Sequence, residues 1–90
     1  MSQHFVKIDQ KTEAMVGWDP PMETFFAQIY KIDEDGERIP AEEDGTVAWL
    51  GGKPYEIYDL EEFIRALAPH HVRLDSELRA ALYADRDDGK

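Results

Sequence analysis

The 90-residue chain contains no cysteine, which removes disulfides, thiolate metal sites and thiol nucleophiles from consideration. Serine is almost as scarce. Ser2 and Ser76 are the two present, and neither sits in the G-x-S-x-G elbow that presents a serine nucleophile. No apolar run approaches the ~18 residues of a membrane span, and Met1-Ser2-Gln3-His4 does not open a signal peptide. Internal repeats and low-complexity stretches are also missing. Positive charge is in short supply: ten Lys and Arg stand against twenty Asp and Glu, a net charge of −10. Such a field repels phosphate backbones and anionic lipid, so neither direct nucleic-acid binding nor membrane attachment is expected. These absences point to a cytoplasmic protein of one domain spanning residues 1–90, with about 1–3 and 86–90 frayed.

What is present is a folding pattern. The longest run of aromatic and β-branched residues is Thr24–Ile32, bounded by Asp19-Pro20-Pro21 before it and Asp33-Glu34-Asp35-Gly36 after it. It reads as the central strand of a small sheet. Alternation places Phe25, Ala27 and Ile29 on one face and Phe26, Gln28, Tyr30 and Ile32 on the other. Aromatics on both faces are more than a one-sided sheet needs, which hints at an interface. His4–Ile8 alternates as a first strand, and Glu13–Trp18 returns as a second with Ala14, Val16 and Trp18 together. Gly17 marks a bulge or the close approach of another backbone. Thr46–Leu50 is a further strand, and Tyr55–Tyr58 alternates weakly.

The helices follow. Asp59 is an N-cap with Glu62 three residues on, in the manner of a capping box. Leu60, Phe63, Ile64, Leu67 and Ala68 then form one apolar stripe that ends at Pro69. A second helix capped by Asp75 carries a narrower stripe of Leu78, Ala81 and Leu82. The expected fold is α+β: a small antiparallel sheet of four to five strands followed by two C-terminal helices packed on one face.

Candidate chemistry is thin. Residues 33–45 carry seven carboxylates and one arginine, but a calcium loop counted from Asp33 places Arg38 where an EF-hand requires glycine. His70-His71 has only His4 as a further imidazole, and no H-E-x-x-H or His-x3-His pair exists. Gly51-Gly52-Lys53 lacks the spaced first glycine and the following Ser or Thr of a phosphate loop. No carboxylate pair is singled out for glycoside chemistry. The expectation is a non-enzyme with no cofactor and no metal.

Recognition remains. Trp18, Tyr30, Trp49, Tyr55 and Tyr58 are more rings than a core this small readily hides, and aromatics concentrate at interface hot spots, although Trp18 and Trp49 also suit a core packed against the helices. The first expectation is a protein-interaction module, with a protein partner or a second copy meeting a sheet face or edge. The second is a nucleic-acid mimic, in which Asp33, Glu34, Glu42 and Glu43 stand in for phosphates and block a basic partner. A small hydrolase or metal-binding protein is the third and least supported. Val16–Pro21 through Thr24–Gln28, and Trp49-Leu50-Gly51 with the Asp59–Leu67 helix, resemble small bacterial proteins of unassigned function. That resemblance implies a bacterial origin and no functional residue.

Overall fold

The computed structural model describes residues 2–89. Four strands, β1 (His4–Lys7), β2 (Thr12–Asp19), β3 (Thr24–Lys31) and β4 (Thr46–Leu50), form one antiparallel sheet in the order β1-β2-β3-β4. Helices α1 (Leu60–Leu67) and α2 (Ser76–Asp88) follow. The α+β architecture is the one expected, with four strands rather than five. Tyr55–Tyr58 is not a strand. Tyr55 lies in a turn in the left-handed region, at φ 59°, and Ile57 accepts the Phe25 N–H at 2.7 Å but donates its own N–H to the Thr24 hydroxyl at 2.8 Å instead of to a strand.

Register follows the side-chain alternation. Val6 opposes Ala14, Ala14 opposes Ile29 and Val16 opposes Ala27, while Ile29 opposes Ala48. These residues share the face that meets the helices. There Ala14, Val16, Trp18, Phe25, Ala27 and Ile29 pack with Phe63, Leu67, Val72, Leu74 and Leu82 in one buried cluster. Its centre is aromatic: Phe25 stacks on Phe63 at 5.3 Å and takes the edge of Trp18 at 5.0 Å. Offset and edge-on pairs of this kind stabilise by about 0.5–1.5 kcal/mol beyond the area they bury.

Both helices begin where their caps place them. The Asp59 side chain accepts from the N–H of Glu61 at 3.0 Å, and Asp75 accepts from Leu78 at 2.8 Å. Asp59 therefore satisfies the second free amide of α1 rather than the third that a capping box would use. Pro69 ends α1 by tightening it into a 3-10 turn over Ala68–His70, closed by His71 at φ 62°. Proline fits there because the first turn of a helix has no amide bond to lose.

The ends hold more structure than the sequence led one to expect. Ser2 donates its N–H to the Trp18 carbonyl and accepts the Trp18 N–H on Oγ at 2.9 Å. Helix α2 continues through Asp88 to Gly89 at φ 69°, a left-handed C-terminal cap. The Arg86 guanidinium explains that extension. It donates to the Tyr58 carbonyl at 3.0 Å and stacks over the Tyr58 and Tyr83 rings. His4 and Asp85 tie β1 to the same helix through a 2.8 Å contact. Met1 and Lys90 lie outside the described residues. No helix among those described is long and apolar enough to cross a membrane.

Candidate protein-interaction surface

The sheet face opposite the helices is built by the same alternation, read from the other parity. Phe5 opposes Met15, Met15 opposes Gln28 and Gln28 opposes Trp49. One uncharged row therefore crosses all four strands, about 14 Å wide at ~4.8 Å per strand spacing. Phe5 and Trp49, at its two ends, are 62% and 65% exposed, while Met15 and Gln28 between them are half-buried.

The rows on either side are closed. Toward the β1–β2 turn, Glu13 opposes Tyr30, and the Tyr30 hydroxyl donates to its carboxylate at 3.1 Å. The Arg38 guanidinium lies over the Tyr30 ring at 4.5 Å, held there by a backbone bridge between Arg38 and Ile32. Burial, reinforced by the bond and the charge of Glu13, pushes the Tyr30 phenol up to about 12. Toward the other end, Phe26 lies over Gly17, where a Cβ would run into the ring at 2.8 Å and into the Ser2 carbonyl oxygen. Gly17 is thus the close approach that its place in a strand pattern implied. An uncovered strip remains between the two closed rows.

Neither sheet edge is an open template. β1 has four residues and ends in Lys7. β4 is interrupted: Ala48 faces Ile29 and Thr46 faces Tyr30, so Val47 is an extra residue and the ladder bulges. Short edges, edge lysines and bulges are the devices by which sheets avoid adding strands. The face, and not an edge, is what this sheet leaves available.

The residues singled out from the sequence separate cleanly. Trp18 is 3% exposed and Tyr30 4% exposed, so neither presents a surface to a partner. Trp18 sits between Phe25 and Tyr58 in the core, and Tyr30 lies beneath Arg38. Trp49 and Tyr55 are exposed. Tyr55, 70% exposed, occupies the turn after β4 and donates its N–H to Met22 at 2.9 Å. Asp33, Glu34, Glu42 and Glu43 are exposed in the β3–β4 connection. The Asp33 carboxylate accepts from the N–H groups of Asp35 at 2.9 Å and Glu37 at 3.0 Å, which is the work of a turn. Phe5, Met15 and Gln28 were not singled out. Only strand register, which pairs each with its neighbour, lines them up with Trp49.

His4 pairs with Asp85, and no group of three or more His, Cys, Asp or Glu among the described residues is arranged to hold an ion. Compared with protein-family models, with curated proteins and with solved structures, the chain matches none.

Proposed function

We propose that this protein is a non-catalytic interaction module that binds a short apolar segment of another protein on the uncovered strip of its sheet. The observation that carries the reading is the Phe5–Met15–Gln28–Trp49 row, uncharged and bare in a chain where one residue in three is charged. Two large rings held out in water at opposite ends of one strand-spanning row are anchors of the kind that dominate binding energy.

The size of the strip selects the occupant. A row ~14 Å wide and one or two residues deep along the strands offers far less than the ~800 Å² per partner of a stable globular interface. A second copy resting on the strip alone would bury too little for a stable dimer, and a peptide there binds weakly and reversibly. A peptide-sized segment with two apolar side chains spaced to meet Phe5 and Trp49 fits, with the Gln28 amide left to bond its backbone. The cysteine-free composition is compatible with a cytosolic setting.

The mimic reading has less behind it. Phosphate imitation needs carboxylates free and in rows. Asp33 is occupied by its own turn, and Arg38 sits among the acidic residues of the same loop.

A peptide library displayed on phage, selected on the native protein and then measured by fluorescence anisotropy, tests the proposal. Selected sequences should converge on apolar or aromatic pairs and lose at least tenfold in affinity for the Phe5→Ser/Trp49→Ser double variant. Peptides that bind that variant as well as the native chain would overturn the reading. So would sedimentation of the protein as a tight dimer that the same two substitutions dissociate, because the occupant would then be a second copy.

A further inference from the structure

The end of the sheet where β1 turns into β2 and β3 runs into the long connection holds a cleft of about 650 Å³. Lys7, Gln10, Lys11, Lys31, Ile32, Asp33, Glu34 and Ile39 line it. The volume is that of a small-molecule site. Its charge runs against the rest of the molecule. The chain has five lysines and a net charge of −10, yet three of those lysines, against two carboxylates, line this one cleft.

The carboxylates nearby, Asp33 and Glu34 on the lining and Asp9 and Glu13 beside it, form no direct ion pair with them. Asp9 accepts the Lys11 backbone N–H at 2.8 Å, and that bond holds its carboxyl below the usual carboxylate range. Glu13 takes the Tyr30 hydroxyl, and Asp33 takes the Asp35 and Glu37 amides. Among the described residues, none of the three lysines has a carboxylate oxygen within 4.0 Å of its ammonium. The acids at this end keep their charge while bonded to neutral donors, and the three ammonium groups make no direct ion pair with them among the described residues. Of the two lining carboxylates, Asp33 is bonded to its turn and Glu34 makes no such bond among the described residues.

The walls are also fixed. Ile32 donates to the Lys11 carbonyl at 2.9 Å, joining the hairpin turn to the end of β3. Ile39 donates to Lys31 at 2.9 Å, and Lys31 donates to Gly45 at 2.7 Å. These bonds fix the backbone from which Lys11 and Lys31 project before any ligand arrives, so less order has to be imposed on binding. Ile32 and Ile39 supply an apolar floor.

We infer that this cleft is a binding site for a small organic polyanion, one whose clustered negative charge meets Lys7, Lys11 and Lys31 while its carbon skeleton lies on Ile32 and Ile39. Phosphate esters and polycarboxylates share that chemistry. The Gln10 amide would add a directed hydrogen bond to either. The site is separate from the uncovered strip on the sheet, and each stands or falls without the other.

Amide chemical shifts of the native protein, titrated separately with inorganic pyrophosphate and with citrate at low salt, test this directly. At least one of the two should saturate with a dissociation constant below about 1 mM, with shifts confined to residues 7–12 and 31–39. Saturation by pyrophosphate alone supports a phosphate ester, and by citrate alone a polycarboxylate. The Lys11→Gln/Lys31→Gln variant should bind at least tenfold more weakly, and a Lys53→Gln control should bind as the native chain does. All the substituted lysines are exposed, so the fold is not at risk, and the unperturbed amide spectrum checks it. Absence of saturation by both anions, shifts spread equally to Lys53 and Arg65, or undiminished binding by the double variant would overturn the inference.

Discussion

The two faces of the sheet use the same residue types for opposite ends. On the helix side, Phe25 packs on both Trp18 and Phe63, and all three are closed off from water. On the far side, Phe5 and Trp49 project with no layer above them. An exposed aromatic residue by itself needs no explanation. Two of them joined by register into one neutral row do, because the neighbouring rows were closed by Arg38 over Tyr30 and by Phe26 over Gly17. The contrast teaches that burial here is decided row by row and not by face.

The contrast can be broken from the buried side with the largest effect. Phe63→Ala removes a fully buried ring stacked on Phe25 and should destabilise by about 3–5 kcal/mol in urea unfolding, as large aromatic truncations do. Gly17→Ala should come next, at about 1–3 kcal/mol, because the new methyl meets the Phe26 ring and the Ser2 carbonyl and either must move. A loss near zero there would mean that the Ser2 segment does not lie where the far-side row closes.

A pH dependence sharpens the same boundary. The Tyr30 phenol rises from 10.0 to about 12 in the folded chain. Its neutral form is favoured on folding, so this stabilisation is complete below pH 10 and is lost as pH climbs toward 12. Urea midpoints taken from pH 9 to pH 12 should fall for the native protein. Relative to it, Tyr30→Phe should flatten the fall. Helix caps are a smaller matter: Asp75→Ala should cost about 1 kcal/mol in the same assay through loss of the bond to the Leu78 amide. Smallest of all should be Phe5→Ser/Trp49→Ser, within about 0.5 kcal/mol per site, since neither ring supports the core.

Much of the fold was legible because its signals are local. Asp59 and Asp75 announced helix starts, Leu60, Phe63, Ile64 and Leu67 announced one face of α1, and the alternation from Thr24 to Ile32 named both faces of β3. The extension of α2 to Asp88 was hidden, because Asp85-Arg86-Asp87-Asp88 carries no apolar stripe and Arg86 is anchored on Tyr58, distant in sequence. The candidate surface was half legible. Trp49 stands out in any aromatic count, as do Trp18 and Tyr30, but which of these rings is covered depends on Phe25, Tyr58 and Arg38 arriving from elsewhere. Phe5 and Met15 have no local mark at all. The clustering of Lys7, Lys11 and Lys31 also required the hairpin turn and the end of β3 to meet in space.

The claim that the uncovered strip is kept for a partner is tested most directly by one titration. A library-selected peptide is added to the native chain and to Phe5→Ser/Trp49→Ser at matched concentration, and anisotropy is read. The account predicts saturable binding to the native chain and at least tenfold weaker binding to the variant. Equal affinity for both would contradict it and leave the row as surface without a role.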